Sequence, residues 1–191
     1  MKKNKGYSMI EMMIVIAIMA ILTGVAVVSM SMIKKAKAQD VVRTFNSQVT
    51  NAWLQTKAIG KKQTSMYVEV TTKKDSNGKL IPCKFMIKDL DTDGKTIIVK
   101  EETALTSNPE SDSSARVRME YVASTPSNSP GAKANQDSEN VAGDNPTFII
   151  RFDKATGEVV KGAGTYTFTD DGGNVVASVY IDAVTGNHYI K

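Results

Sequence analysis

The chain has 191 residues, which is enough for one ordinary domain with an appendage and too few for two full domains. Its net charge is +4, but lysines at positions 2, 3 and 5 supply three of those charges, so the remainder carries only +1 (4 − 3). Composition therefore gives no argument for a nucleic-acid partner. A single cysteine, Cys83, excludes an intramolecular disulfide, and with a single histidine, His188, a zinc cluster or a cysteine–histidine catalytic pair is poorly supported.

An uncharged, mostly apolar run of 22 residues, Met12 to Ile33, follows the lysine-rich start. As a helix it is about 33 Å long at ~1.5 Å per residue, enough to cross a bilayer. Its length fits a single-pass anchor, and the sequence Ala-Lys-Ala at 36–38 partly fits the cleavage site of a secretory signal. Neither interpretation explains Glu11, which lies directly before the run. A carboxylate at bilayer depth costs about 2–3 kcal/mol.

A third interpretation comes from the stretch GYSMIE, residues 6–11. Placed between a lysine-rich leader and an uncharged run, it resembles the prepilin signal of type IV pilins and pseudopilins, usually Gly-Phe-Thr-Leu-(Ile/Val)-Glu. Gly6, Ile10 and Glu11 match that pattern, and Tyr7 keeps an aromatic first residue. The resemblance implies that a prepilin peptidase on the cytoplasmic side cuts after Gly6, removes the leader 1–6 and leaves Tyr7 as an N-methylated terminus.

Two roles are open for Glu11. A carboxylate in the first turn of a helix caps its N-terminus, where the helix dipole favours an acid. The resemblance implies a different role in assembly: the carboxylate of one subunit meets the Tyr7 ammonium of its neighbour, and each charge offsets the desolvation of the other. Many relatives also have a proline in the apolar segment, where this chain has only Gly24 as a weak point.

The helix is predicted to continue to Ile59, because an apolar stripe recurs at spacings of three and four residues and Gly60 is a plausible stop signal. The stripe consists of Ala38, Val42, Phe45, Val49, Ala52 and Trp53.

From residue 60 onward the period changes to two, which predicts strands. The predicted strands are 66–71, 84–88, 96–99, 116–122, 148–152, 165–169, 175–181 and 188–190. An Asn77-Gly78 turn joins the first two strands. The pattern D-x-x-T-G occurs at 153–157 and again at 182–186, and each copy predicts a hairpin turn.

Residues 124–147 form a predicted exposed loop, since 13 of these 24 residues are Ser, Asn, Pro or Gly. Such a loop serves either as a site of variation or partner contact, or as a passive excursion. The predicted fold class is α+β and pilin-like, with a long N-terminal helix packed on an antiparallel β-sheet head. Its parts are the leader 1–6, the helix 7–59 with a transmembrane or filament-core part 7–33, and the β-rich head 60–191. The closing strands are also similar, more loosely, to minor pseudopilin H-like proteins.

Two clusters in the head suggest further chemistry. Asp89, Asp91 and Asp93 precede a glycine as in the first half of a calcium loop, although position 100, where a bidentate acid is needed, is a lysine. A plain hairpin turn is the alternative to a calcium site there. Arg116 and Arg118 share one face of a predicted strand and suit phosphates, so DNA is a weak candidate partner, whereas a solvated strand face is the alternative.

The predicted function is that of a type IV pilin-like structural subunit, for adhesion, motility, secretion or DNA uptake. Its predicted partners are other pilins, the prepilin peptidase and the pilus assembly machinery. It is expected in the cytoplasmic (inner) membrane before assembly and in an extracellular filament afterwards. No catalytic constellation is recognised, so no enzymatic activity is expected, and no cofactor is required beyond the candidate calcium. The alternative is a single-pass, membrane-anchored extracellular binding module that does not polymerise.

Overall fold

The computed structural model describes residues 7–59, 66–75, 77–90, 97–105, 117–124, 146–153, 155–170 and 172–191. Within these ranges the side chains of residues 26–31, 90, 97, 98, 100 and 101 are excepted. The predicted leader 1–6, the stop signal Gly60 and the centre of the predicted loop, 125–145, lie outside the described residues.

One helix, α1 (Met9–Ile59), occupies the N-terminal part of the chain. Its 51 residues make it about 75 Å long at ~1.5 Å per residue. Its two halves differ in environment. The large apolar side chains described between Tyr7 and Ile33 are 48–84% exposed, whereas five members of the predicted stripe, Ala38 through Ala52, are at most 2% exposed. The predicted helix and its buried stripe are therefore confirmed, and the head packs only on the second half.

In the part of the head that the structure describes, nine strands form one sheet whose neighbouring strands all pair antiparallel. Its strands are β1 (Tyr67–Lys74), β2 (Leu80–Leu90), β3 (Ile97–Ala104), β4 (Arg118–Ala123), β5 (Thr147–Phe152), β6 (Val159–Lys161), β7 (Gly164–Thr169), β8 (Val175–Ile181) and β9 (His188–Ile190). The main order is β6-β5-β1-β2-β4-β7-β8-β9, and β3 pairs with β2 outside this path. The predicted α+β, pilin-like fold is confirmed.

All eight predicted strands occur, with β2 and β3 longer than predicted. Residues Thr96 and Arg116, which two of the predictions included, lie outside the described part. Strand β6 was not predicted.

The core between helix and sheet centres on Phe45, which is 0% exposed. Its ring centroid lies 5.4 Å from that of Phe85, 5.0 Å from that of Tyr166 and 5.4 Å from that of Phe168. These rings belong to β2 and β7, which lie on opposite sides of β4 in the sheet. Edge-to-face and tilted aromatic contacts of this kind add to the area buried, so Phe45 joins the two parts of the sheet to one point on α1.

Both D-x-x-T-G segments are hairpin turns, one between β5 and β6 and the other between β8 and β9. In each turn the aspartate Oδ1 accepts the backbone N–H groups two and three residues further on, at 2.8–3.2 Å. The closing glycines, Gly157 and Gly186, have φ values of 79° and 68°, in the left-handed region that glycine adopts freely. The turns also meet each other: a Cβ on Gly186 would collide with the Gly157 carbonyl oxygen and lie 2.9 Å from Trp53 Nε1.

Candidate processing and assembly site

The first described residues form the entry to α1. Gly6, the predicted cleavage residue, lies outside the described part, and Tyr7 directly after it is 81% exposed. Helix α1 begins two residues later at Met9. The predicted scissile bond therefore adjoins an exposed residue that precedes the helix.

Glu11 caps the start of the helix. Its Oε2 accepts the Ser8 backbone N–H at 2.9 Å, while Ser8 Oγ accepts the Ile10 N–H at 3.3 Å. A serine N-cap with a glutamate three residues later is a capping box, in which side chains satisfy N–H groups that lack a helical partner. The capping role left open above is thus present in the single chain. Ser8 is the functional residue that sequence reasoning missed, although the spacing S-x-x-E could have revealed it.

The carboxylate of Glu11 lies beside an apolar surface. Tyr7, Glu11, Met12, Ile14 and Val15 line one shallow groove along the helix. An exposed apolar surface that continues along several helical turns is typical of a site of contact with a partner or a membrane. Across the described residues, no helical segment reaches both the length and the apolar character needed to cross a membrane.

The predicted calcium ligands are only partly in view. Asp89 lies at the end of β2 with 3% of its surface exposed, while Asp91 and Asp93 lie outside the described residues. Asp89 Oδ1 has no hydrogen-bond partner in the described structure. Strands β2 and β3 flank residues 91–96 as an antiparallel pair, as the hairpin interpretation requires. The described residues include no group of three or more His, Cys, Asp or Glu side chains that could hold a metal.

The sequence favoured a solvated strand face for Arg116 and Arg118, and the structure differs from this at Arg118. Arg116 lies outside the described residues, and the Arg118 side chain is only 13% exposed. Arg118 Nε donates to Asp75 Oδ2 at 2.9 Å, and its Nη1 donates to the Asp170 carbonyl at 3.3 Å. Burial raises the pKa of the Asp75 carboxyl, but hydrogen bonds from Arg118 and from two backbone N–H groups outweigh it, and the pKa is lowered. Arg118 thus links two hairpin turns of the head.

The surroundings of Cys83 and His188 indicate structural roles for both side chains. Cys83 is half-buried on β2, and burial raises the pKa of its thiol, which disfavours the reactive thiolate. His188 Nε2 lies 2.7 Å from Thr50 Oγ1, and its Nδ1 lies 3.1 Å from the Gly186 carbonyl oxygen. The histidine therefore connects β9 to the helix.

A long helix with an exposed apolar first half, carrying an antiparallel sheet on its second half, is a pilin-like fold of the α+β class. Residues 1–27 match the family model of the prokaryotic N-terminal methylation motif. The chain therefore carries the N-terminal signal of type IV pilins, a motif of structural proteins. No curated protein and no solved structure matches the chain. The looser similarity of the head to minor pseudopilin H-like proteins stays a prediction.

Proposed function

We propose that the chain is a type IV pilin-like subunit that is anchored in the membrane by residues 7–33, processed, and then built into a surface filament. Processing consists of cleavage after Gly6 and N-methylation of Tyr7. The observation that supports this most is the methylation motif at 1–27, which leads into an exposed apolar helix whose other half carries a folded head. Its partners in this proposal are the prepilin peptidase, the assembly machinery and other pilins.

The apolar half of α1 is the surface that assembly would bury. Burial of apolar surface contributes roughly 25 cal/mol per Å², and a fully buried Leu, Ile or Met side chain contributes about 1.5–3 kcal/mol. With 48–84% of each large apolar side chain exposed in the single chain, this surface needs lipid before assembly and neighbouring helices in the filament, where their packing keeps it out of water. The head stays outside such a bundle, because it contacts only the second half of the helix.

In this proposal Glu11 sets the register between neighbouring subunits. Two unit charges 4 Å apart attract by about 1 kcal/mol in water and by about 4 kcal/mol at an effective dielectric constant near 20. Packing of the apolar helices removes water from Glu11, so an unpaired carboxylate there is costly. The Tyr7 ammonium of a neighbour, created only by cleavage, supplies the opposite charge.

The intact mass of the protein extracted from membranes tests the processing step. The expected mass is that of a chain beginning at Tyr7 with one added methyl group. A chain beginning at Met1, or one cut after Ala38, would contradict the proposal. A chain that is processed but never enters filaments would instead favour the non-polymerising binding module.

Substitutions at Glu11 and Ser8 separate the capping role from the charge-pairing role. Glu11→Gln keeps a side-chain oxygen for the Ser8 N–H and removes only the charge, whereas Ser8→Ala removes the reciprocal cap and keeps the charge. If charge pairing matters, both Glu11→Gln and Glu11→Ala abolish incorporation into filaments, and Ser8→Ala does not. Normal filament levels with Glu11→Gln would show that capping is sufficient.

We also propose, on separate grounds, that the loop after Asp89 binds calcium. The support is one buried carboxylate whose Oδ1 lacks a partner among the described residues, since a cation would satisfy that oxygen. Thermal unfolding in calcium and in chelator tests the proposal, because a ligand that binds only the folded state raises Tm. The rise should vanish in Asp89→Asn, and equal Tm values with and without calcium would contradict the site.

A further inference from the structure

Three lysines lie on α1 at the junction between its exposed half and the head. Lys34, Lys35 and Lys37 fall within one helical turn, directly after the uncharged run that ends at Ile33. All three side chains are exposed, whereas Ala38, the next residue, is 1% exposed under the head. Lys34 and Lys35 are called the basic collar below.

The sequence around the collar is poor in acids. No acid occurs between Glu11 and Asp40 in the sequence. Asp40 forms an ion pair with Arg43, in which Oδ1 lies 3.9 Å from Nη1, and the two side chains are 74% and 73% exposed. The ten residues from Lys34 to Arg43, about three helical turns, therefore have a formal charge of +3 (four cations and one acid).

The position of the collar matches the depth of a lipid headgroup. The uncharged run of 22 residues is about 33 Å long, and the hydrocarbon core of a bilayer is about 30 Å thick. Lysine stems pack along apolar surface while their ammonium groups extend toward phosphates. Because the collar begins where the run ends, its ammonium groups come to the phosphate layer on the head side.

We propose that the basic collar binds the phosphates of anionic phospholipids on the head side of the membrane and holds the subunit there before assembly. This inference rests on the membrane-anchored precursor of the proposed function. The occupant is a lipid surface rather than a soluble acidic partner, because the collar is continuous with the apolar run. Near a membrane surface each lysine contributes about a fivefold gain in binding to anionic lipid.

The test gives the full chain a choice between two vesicle populations during its transfer from detergent. One population is phosphatidylcholine alone, and in the other a third of the lipid is phosphatidylglycerol. The double variant Lys34→Gln/Lys35→Gln is compared with Lys74→Gln/Lys79→Gln, which removes the same charge from exposed positions of the head. The lysines of residues 1–6 are common to all variants and cancel in the comparison.

The expected result is that the wild-type chain and the head variant prefer the anionic vesicles equally, and that the collar variant loses roughly 25-fold of that preference at low salt. High salt should reduce the difference, since it screens exposed charges. Stable insertion of all variants with unchanged preference in the collar variant would overturn the collar alone. Failure of the wild-type chain to insert into either population would overturn both the collar and the membrane-anchored precursor.

Discussion

The contact between the two D-x-x-T-G turns makes Gly186 sensitive to any added side chain. Gly186→Ala places a Cβ against the Gly157 carbonyl oxygen and 2.9 Å from Trp53 Nε1. Alanine substitutions at Gly157 and Gly173 are matched controls for the loss of stability, because these two glycines and Gly186 have a similar positive φ. At Gly157, with φ 79°, the new Cβ meets the flexible Lys57 side chain at 2.6 Å, and at Gly173, with φ 81°, it meets nothing within 4 Å.

The expected losses follow from these contacts. A left-handed backbone costs a residue with a side chain about 1–2 kcal/mol, which is the whole expected effect at Gly173. At Gly186 the backbone of the neighbouring turn must also shift, and such overpacking costs about 1–3 kcal/mol more. At 2–4 °C per kcal/mol for a chain of this size, Gly186→Ala should lower Tm about 2–12 °C further than Gly173→Ala does. Gly157→Ala should lie between the two.

Thermal and urea unfolding of the detergent-solubilised chain measures these differences. Far-UV circular dichroism follows the whole fold, and fluorescence of Trp53, the sole tryptophan, follows the point where the two turns meet the helix. Equal destabilisation by Gly186→Ala and Gly173→Ala would show that the turns do not touch as described. A larger effect at Gly157 than at Gly186 would contradict the distinction between a movable side chain and a fixed carbonyl.

Three further predictions concern the head and its packing on the helix. Glu69→Gln should lower the free energy of unfolding by about 1–3 kcal/mol, because its partner Lys88 is only 16% exposed and would lose its counter-charge. Glu102→Gln, in the more exposed pair with Lys84, should lower it by less than about 1 kcal/mol. The urea midpoints of the two variants test this difference. Phe45→Ala should lower the free energy of unfolding by about 3–5 kcal/mol. Leu54, on the same helix, is 51% exposed, so Leu54→Ala should lower it by about 0.5 kcal/mol or less in the same measurement. Hydrogen bonds from backbone N–H groups of its turn lower the pKa of Asp182 below 3.8, so its stabilisation is complete above that value and is lost as the pH falls through the lower folded pKa. Unfolding measured from pH 6 to about 2 should therefore show a loss below about pH 4, and Asp182→Asn, which keeps an acceptor oxygen, should reduce that loss.

The parts of the fold that depend on local signals could be predicted from the sequence. The end of the helix at Ile59 followed from the apolar period and the stop signal at residue 60, and the hairpin turns followed from aspartate and glycine at fixed spacing. Gly6, Tyr7 and Glu11 were recognised from one short motif, which the match at residues 1–27 supports.

The long-range contacts had no such signal. Arg118 and Asp75 are 43 residues apart in the chain, and a single sequence gives no reason to pair them. The two D-x-x-T-G turns were recognised separately, but their contact joins hairpins at the two ends of the strand order, β6-β5 and β8-β9, and no local pattern indicates that. Alternation along a strand indicates which residues share a face, and it does not indicate which strand becomes the neighbour.

The two roles considered for Glu11 are compatible in the observed geometry. The hydrogen bond from the Ser8 N–H to Oε2 directs the carboxylate toward the start of the helix, next to Tyr7, and the side chain remains exposed. A neighbouring ammonium can therefore approach without any change in the helix start. In the single chain water solvates the charge, so the cap alone explains its position. Only burial among other apolar helices makes an opposite charge necessary, and Glu11→Gln, which keeps the cap and removes the charge, isolates that requirement.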